Sequence, residues 1–228
     1  RLVGAFVELH IEQGRGLADL DRPIALCSGI WPHGRWRLTV DGEANHAGTT
    51  RLGDRRDPML VLAEAVTQAR RQAQAVDGVA TVGRVRVAPN ASNAIAERVD
   101  VWLDARAPDG GRLDGLVDGW KRAAHATAVK HGCRATLVPE SRSAAVQFDA
   151  GLRERLSRTL AHGSDPLPEL PTAAGHDAGV LADHVPAAML LVRNPTGVSH
   201  SCDERAETDD CVAGVRALAD TLETLACG

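Results

Sequence analysis

The sequence contains no tyrosine, and aromatic residues make up only 3% of its 228 residues. Single-stranded nucleic acids are commonly held by stacking their bases on aromatic side chains. Binding to a phosphate backbone needs a concentrated basic surface, whereas the formal net charge of this chain is −4. The composition therefore argues against nucleic acid as a partner.

The sequence also lacks a long apolar run. No segment approaches the roughly 20 apolar residues that are needed to cross a bilayer. The first apolar segment is interrupted by Glu8, His10 and Glu12, which a secretory signal would not contain. We therefore expect no membrane partner and a cytoplasmic location. The chain begins at Arg1 rather than at methionine, which we interpret as a processed or truncated piece of a longer protein.

The five cysteines, at positions 27, 133, 202, 211 and 227, include no Cys-x-x-Cys pair. An odd number without that spacing argues against both a disulfide framework and a zinc ribbon. We predict reduced and mostly buried thiols, as is usual for cytoplasmic proteins.

Residues 33–142 form a separate unit in the hydrophobic pattern. The predicted order is βαββαβ, which is typical of an α+β ferredoxin-like domain with four antiparallel strands and two helices on one face. Trp36, Leu38 and Val40 alternate with polar residues in the first strand, as in a half-buried strand. Asp57-Pro58 marks the start of the first helix, through a capping carboxylate and a proline in the first turn.

Residues 1–32 and 143–228 read instead as parts of one α/β layer. The pattern predicts strands near 2–9, 24–30 and 187–192, a helix near 149–162 and a proline-rich loop over residues 166–171. A final helix is predicted to be capped by Thr208. Its apolar residues at helical spacing predict a buried face made of Val212, Val215, Leu218, Ala219, Leu222 and Leu225.

Two histidines in polar, glycine-flanked segments are candidate metal ligands. His10 lies just after the first predicted strand, and His200 lies 190 positions later in Gly-Val-Ser-His-Ser. A neutral imidazole binds divalent ions, and ligand groups gather at the ends of strands in α/β sheets. A solitary histidine is more often an ordinary surface or core residue, so the residues alone leave both interpretations open.

Other candidates are polar residues in predicted loops and at strand ends. His46 follows a strand and has small neighbours, which would keep its ring accessible. Arg106 could grip a carboxylate with two hydrogen bonds, and the Asn93 amide could add a third. Each is equally compatible with a turn residue or a solvated strand end. His176 and Asp177 could form a carboxylate–histidine pair that supports a metal site, or Asp177 could cap a helix.

Seven segments together resemble a known family. They are ELHIEQG at 8–14, GEANHAGTT at 42–50, RRD at 55–57, PNASNAI at 89–95, LDAR at 103–106, AGHDA at 174–178 and GVSHS at 197–201. Their order and spacing resemble the amidase, hydantoinase and carbamoylase branch of the M20 metallopeptidase family. That branch includes N-carbamoyl-L-amino acid hydrolases, allantoate amidohydrolases and β-ureidopropionases. The resemblance covers essentially the whole chain, which would be a C-terminal fragment of such an enzyme.

The resemblance implies a role for each matching residue. His10 and His200 would bind two divalent ions, zinc or manganese and alternatively cobalt or nickel. Gln13 would contact the substrate. His46 would polarise the scissile carbonyl from the partner subunit of a homodimer. The residues that hold the substrate carboxylate would be Asn93 and Arg106.

The same resemblance assigns the two parts of the chain. Residues 33–142 would be an inserted lid and dimerisation domain, and residues 1–32 and 143–228 would be the remnant of an α/β catalytic domain. The whole enzyme would hydrolyse a C–N bond of an N-carbamoyl amino acid or a related ureido acid, such as allantoate or ureidopropionate.

Several family features are missing from this sequence. The family's N-terminal segment supplies a histidine, a bridging aspartate, a glutamate ligand and a glutamate general base, and no His-x-Asp followed by Glu-Glu occurs here. Arg51 and Ala96 stand where proline is usual, and Arg193-Asn194 replaces a Pro-Ser-like pair. We therefore expect this chain alone to be inactive and to bind metal weakly, as a single ion, or not at all. The alternatives are a non-catalytic dimerisation or regulatory module, and an M20 exopeptidase or deacylase.

Overall fold

The computed structural model describes residues 3–161 and 166–227. Contacts divide the chain into two compact units, unit 1 with Arg1–Trp31 and Val146–Gly228, and unit 2 with Pro32–Ala145. The strands are β1 (Phe6–Ile11), β2 (Ile24–Ile30), β3 (His33–Asp41), β4 (Asn45–His46), β5 (Val79–Ala88), β6 (Ala94–Ile95), β7 (Arg98–Arg106), β8 (Arg134–Ser143), β9 (Val146–Gln147), β10 (Glu169–Thr172) and β11 (Ala187–Val192). The helices are α1 (Gly16–Asp19), α2 (Pro58–Gln74), α3 (Gly110–Lys130), α4 (Ala150–Leu160), α5 (Asp177–Leu181) and α6 (Thr208–Cys227). A 3-10 turn covers Leu52–Asp54.

Unit 1 is built on a mixed sheet of strand order β1-β11-β2-β10, with β9 beside β2. The strand β11 runs parallel to β1 and antiparallel to β2. All six residues of β11 are buried, as expected for an apolar strand that is covered on both faces. Met189 and Leu191 face one core cluster, whereas Ala188 and Leu190 face another.

The helix α6 packs mostly through small residues, so the predicted buried face is wrong except at Leu225, which packs against a core cluster of unit 1. Its buried positions are Asp210, Gly214, Ala217 and Thr221, whereas Val212, Val215 and Leu222 are exposed. A Cβ on Gly214 would lie 2.6 Å from a Val192 methyl and 3.3 Å from a Leu9 methyl. At Gly214 the helix backbone approaches the sheet so closely that a larger side chain cannot fit there. Thr208 is the first helical residue rather than the cap.

Three further boundaries in unit 1 differ from the prediction. The strand predicted over residues 2–9 runs over Phe6–Ile11, and residue 2 lies outside the described residues, as does residue 162 at the end of the predicted helix 149–162. The second half of the proline-rich segment forms the strand β10, which pairs in parallel with β2. β10 ends the strand order, where the missing N–H of Pro171 is tolerated.

Unit 2 is a four-stranded antiparallel sheet of order β5-β7-β3-β8 that packs with α2 and α3. The alternation predicted for β3 is confirmed, since Trp36, Leu38 and Val40 are buried. The predicted helix start is also confirmed, because the Asp57 carboxylate accepts a hydrogen bond from the backbone N–H of Met59 at 2.9 Å. The indole N–H of Trp120 donates to the Ala65 carbonyl at 2.7 Å and joins the two helices.

The cysteine prediction is only partly correct. All five cysteines are free, but Cys202, Cys211 and Cys227 are exposed and Cys27 is buried. Burial raises the pKa of the Cys27 thiol to about 11, so this sulfur stays protonated near neutral pH. Among the described residues, no helix is long and apolar enough to span a membrane.

Candidate metal site and substrate-binding residues

Parallel pairing places two of the predicted motifs at one edge of the unit 1 sheet. His10 lies opposite Leu191, and Ile11 lies opposite Val192. The backbone N–H of Glu12 then donates to the Val192 carbonyl at 2.7 Å. Because parallel strands end at the same edge, the segment after β1 and the segment after β11 leave the sheet side by side. Ligand sites of α/β sheets form at this carboxyl edge.

The His10 imidazole is held in one tautomer. Its Nδ1 lies 2.7 Å from the Ile11 carbonyl oxygen. A carbonyl oxygen only accepts hydrogen bonds, so Nδ1 carries the proton and Nε2 keeps its lone pair. Metal-binding histidines are commonly oriented in this way, through a carbonyl on the other ring nitrogen.

Glu8 and His176 lie directly beside His10. The His10 and His176 ring centroids are 4.6 Å apart, with the rings at 71°. The Glu8 Oε1 lies 3.5 Å from the His176 Nδ1, and Glu8 Oε2 accepts a hydrogen bond from the Ala178 N–H at 2.7 Å. The carboxylate partner of His176 is therefore Glu8, and Asp177 is the first residue of α5 rather than its cap.

The His176 side chain is only 3% exposed, compared with 16% for Glu8. Burial lowers the pKa of His176, and the neighbouring His10 lowers it further, while Glu8 acts in the opposite direction. The balance favours the neutral imidazole, which is the metal-binding form.

The other polar residues of the first motif shape its loop. Both carboxylate oxygens of Glu12 accept backbone hydrogen bonds, from Gly16 at 2.6 Å and from Leu17 at 2.8 Å. Glu12 thereby caps the short helix α1. These two hydrogen bonds stabilise the turn of the chain that follows Gln13. Glu12 therefore has a structural role.

The loop that carries His200 is organised by Asn194, which is fully buried. Its Oδ1 accepts from the N–H groups of Thr196 and Gly197 at 3.1 and 2.9 Å, and its Nδ2 donates to the Val198 carbonyl at 2.9 Å. An aspartate or asparagine side chain commonly stabilises a turn in this way. Further along, Glu204 accepts from the His200 N–H at 2.9 Å.

Arg193 fixes the start of this loop to α6. Its guanidinium donates to both carboxylate oxygens of Asp210, at 2.8 and 2.9 Å. A third contact reaches Asp21 at 2.9 Å. Paired, two-pronged contacts of this kind are the geometrically specific form of the ion pair. The residues at 193 and 194 that depart from the family pattern are therefore the ones that build the His200 loop.

The two motifs meet through Gln13 and Ser199. The Gln13 Nε2 donates to the Ser199 Oγ at 3.0 Å, across 186 positions of sequence. Gly197 has a φ of +69°, and a Cβ there would lie 2.3 Å from the Arg15 Cγ. His200, which is exposed, is the residue directly after Ser199. Within the described residues, the group of ligand atoms around His10 consists of Glu8, His10 and His176 and does not include His200.

In unit 2, a two-stranded ladder joins the segments that contain His46 and Asn93. The strands β4 and β6 pair His46 with Ala94, and the Ala47 N–H donates to the Asn93 carbonyl at 3.0 Å. The His46 Nδ1 accepts from the Gly48 N–H at 3.0 Å, so the neutral ring carries its proton on Nε2. His46 is exposed, and its Nε2–H is therefore available as a donor.

Arg55, in the RRD segment, stabilises the same loop. Its guanidinium donates to the carbonyl of Ala47 at 2.7 Å and to that of Thr50 at 3.2 and 3.1 Å. The loop after β4 is thus held to a residue that precedes α2. This gives the RRD segment a structural function.

Arg106 is the last residue of β7 and lies far from the His46 and Asn93 segments. That strand begins at Arg98, near the Asn93 segment, and the eight steps to Arg106 cover about 26 Å at the usual strand rise. The Arg106 Nε donates to the Asp104 carboxylate at 2.9 Å. A single copy of unit 2 therefore does not bring Arg106 together with Asn93 and His46.

Comparisons with known proteins place the chain in a family. The family described as peptidase family M20/M25/M40 matches residues 1–224, and the chain belongs to it. Allantoate amidohydrolase of Bacillus subtilis (strain 168) is 32% identical over 226 residues, which cover 98% of this chain and 55% of that protein. N-carbamoyl-L-amino acid amidohydrolase of Geobacillus stearothermophilus is 34% identical over 99% of this chain and 56% of its own length.

Solved structures agree with this assignment. A crystal structure of an amidase of the hydantoinase/carbamoylase family from Burkholderia vietnamiensis superposes with a TM-score of 0.92 at 28% identity, over 99% of this chain and 55% of that one. The resemblance predicted from the motifs is therefore confirmed. The chain spans about half the length of the relatives that it matches.

Sequence reasoning missed two residues of the site. Glu8 was not singled out, although its i, i+2 spacing from His10 on a strand places both on one face. Asn194 was noted only as a departure from the family pattern, although asparagine three positions before a glycine is typical of a turn. The partnership of Glu8 with His176 crosses 168 positions and has no local signal.

Gly197→Ala should destabilise the fold where the loop after β1 contacts the loop after β11. Alanine at positive φ costs about 1–2 kcal/mol, and its Cβ would also meet the Arg15 side chain. Urea unfolding should show a loss of at least about 1 kcal/mol in the free energy of unfolding. Gly175→Ala is the matched control, because a Cβ at Gly175 has no atom within 4 Å. Equal effects of the two substitutions would contradict the predicted contact.

Asp104→Asn should make unit 2 less sensitive to acid. Burial alone would raise the pKa of Asp104, but hydrogen bonds and charge from Arg106 and Arg35 outweigh burial, so its pKa is lowered. A lowered carboxyl pKa stabilises the fold above the unfolded value of about 3.9. That stability is lost as the pH falls through the folded value.

The measurement is the urea midpoint of wild type and Asp104→Asn between neutral pH and about pH 2. The variant should show a weaker fall in stability on acidification. Thr81→Val, on the neighbouring strand position that pairs with Asp104, keeps the carboxylate and should behave like wild type. An unchanged acid dependence in Asp104→Asn would refute the assignment.

Proposed function

We propose that the whole protein is a binuclear-metal amidohydrolase. Its substrates would be N-carbamoyl amino acids or related ureido acids such as allantoate and ureidopropionate, and it would hydrolyse their C–N bond. The observation that carries this proposal is the Gln13–Ser199 hydrogen bond, because it joins the two metal-binding motifs across the chain. The names of the similar proteins, allantoate amidohydrolase and N-carbamoyl-L-amino acid amidohydrolase, support the same substrate class.

The residues of unit 1 fit a divalent metal centre. His10 presents Nε2, since its Nδ1 is committed to the Ile11 carbonyl, and His200 would serve the second ion. Zinc, manganese, cobalt and nickel all accept such nitrogen and carboxylate donors, and availability decides among them. When bound, two such ions lower the pKa of a shared water and polarise the carbonyl that it attacks. The remaining ligands and the general base would come from residues outside this chain.

The residues of unit 2 would bind and orient the substrate. The exposed Nε2–H of His46 would donate to the oxygen on which negative charge develops during attack. Arg106 would grip the substrate carboxylate with two parallel hydrogen bonds, and Asn93 and Gln13 would complete its orientation. Asp104 holds the Arg106 guanidinium from one side, which reduces the freedom that is lost on binding.

The length of β7 supports a shared site in a homodimer. His46 and Asn93 lie together near the Arg98 end of β7, and Arg106 lies at the other end of that strand, about 26 Å from Arg98. We propose that unit 2 is a ferredoxin-like lid and dimerisation domain. One subunit would then provide His46 and Asn93, and the other would provide Arg106. This chain alone would not turn over substrate, because the remaining metal ligands and the general base would come from residues outside it.

A mixed-dimer experiment tests the function and the shared site together. In the whole protein, His46→Ala and Arg106→Ala should each lower kcat/KM for a carboxylate-bearing ureido substrate by roughly 10–100-fold, as expected for a lost charge-assisted hydrogen bond. Refolding the two impaired variants together should raise the activity to about a quarter of the wild-type value. Half of the dimers would be mixed, and each would contain one intact site.

The matched control is Arg98→Ala, which removes an arginine from the other end of β7. It should keep kcat/KM within about twofold of wild type. Normal activity of Arg106→Ala would remove the carboxylate assignment. Mixtures that remain as inactive as the separate variants would contradict the shared site.

A further inference from the structure

We propose that Glu8, His10 and His176 form a binding site for one divalent cation of the zinc type, complete within this chain. His10 is also a metal ligand in the proposed function, and the present proposal rests on the proposed function for the role of that one residue. It does not use His200 or a ligand from outside the chain. Neither Glu8 nor His176 is a metal ligand in the family pattern that the motifs resemble.

The fold places the three side chains on one side of the unit 1 sheet. Glu8 and His10 are two positions apart on β1, so they point to the same face. Their partners across the parallel ladder are Met189 and Leu191, which belong to the core cluster that also contains Ala178 of α5. His176 immediately precedes α5 and reaches the same face.

The donor atoms have a spacing that a zinc ion can use. One ligand atom from each residue lies within 4.8 Å of the others, and the closest ion-pair contact, Glu8 Oε1 to His176 Nδ1, is 3.5 Å. Tetrahedral zinc with bonds of about 2.0–2.1 Å separates its ligand atoms by roughly 3.3 Å. Small side-chain rotations therefore close the group around an ion. Two histidines and a glutamate are a known zinc set that leaves the fourth position open.

Glu8 and His10 are already oriented by a contact on their far side, and His176 is held by burial. The Ala178 N–H holds Glu8 Oε2 at 2.7 Å. The Ile11 carbonyl holds the His10 Nδ1–H at 2.7 Å, and His176 is enclosed by protein with a side-chain exposure of 3%. Outer contacts of this kind orient metal ligands and raise affinity. A simple Glu8–His176 ion pair would not explain why the His10 imidazole lies beside it, with Nδ1 bonded to the Ile11 carbonyl and Nε2 left as a possible metal ligand.

The test is a calorimetric titration of this metal-free chain with zinc chloride. The exposed thiols of Cys202, Cys211 and Cys227 are first blocked with iodoacetamide, because free thiols bind zinc. We expect one zinc per chain. Glu8→Gln and His176→Gln should each weaken binding at least about tenfold, and His200→Gln should bind like wild type.

Absence of zinc binding would overturn the proposal. It would also be overturned if His200→Gln weakened binding and His176→Gln did not. That second result would leave the proposed function standing, since it would identify His10 and His200 as the ligand pair. If His200→Gln lost zinc binding together with Glu8→Gln and His176→Gln, a site made of Glu8, His10 and His176 alone would likewise be excluded.

A second measurement needs no substitution and so does not depend on the variants folding. Long-range proton–nitrogen spectra of the wild-type histidine rings, recorded with and without zinc, report which rings bind. The His10 and His176 ring nitrogens should shift, and those of His200 should not. Shifts confined to His10 and His200, or no shift at His176, would contradict the site.

Discussion

The parallel pairing of β1 with β11 is the constraint on which the candidate site depends. It brings residues near the start of the chain next to residues near its end, and it makes both strands finish at one edge. The segment with Gln13 and the segment with Ser199 then turn toward each other. A slip of one residue in this pairing would turn the Glu8 and His10 side chains to the opposite face of the sheet.

Polar contacts then hold each loop in shape. Glu12 caps α1 on one side, and Asn194 closes the turn on the other. The Arg193–Asp210 pair ties the second loop to α6. Since Asp210 is 3% exposed, removing its partner would leave a nearly buried carboxylate uncompensated, which is strongly unfavourable. The small residues on the buried side of α6 allow the helix to lie close enough for this pair to form.

Local patterns predicted much of the fold. The alternation in β3, the apolar run of β11 and the Asp57 cap each have a physical signal within a few residues. Most of the buried face of α6 was predicted wrongly because hydrophobicity favours Val212 and Leu222 for burial, whereas close packing selects Gly214 and Ala217. The strand β10 was missed because its pairing with β2 outweighs the local effect of proline.

The site was harder to predict from the sequence, because its contacts join residues that are far apart in the chain. The motifs identify His10, Gln13, His46, Asn93, Arg106 and His200 as candidates, and their roles remain proposals. What the sequence does not contain is the partner of each residue, since Glu8 with His176 and Gln13 with Ser199 are contacts across more than 160 positions. Strand order and register decide those contacts. The same holds for Arg106, whose separation from Asn93 follows from the length of β7.

A double-mutant cycle on Gln13 and Ser199 tests the convergence of the two motifs most directly. The free energies of unfolding of Gln13→Ala, Ser199→Ala and the double variant are compared with that of wild type. The contact predicts a coupling energy of about 0.5–1.5 kcal/mol. Additive effects, with a coupling below about 0.3 kcal/mol, would contradict it, because the two loops would then not meet in solution.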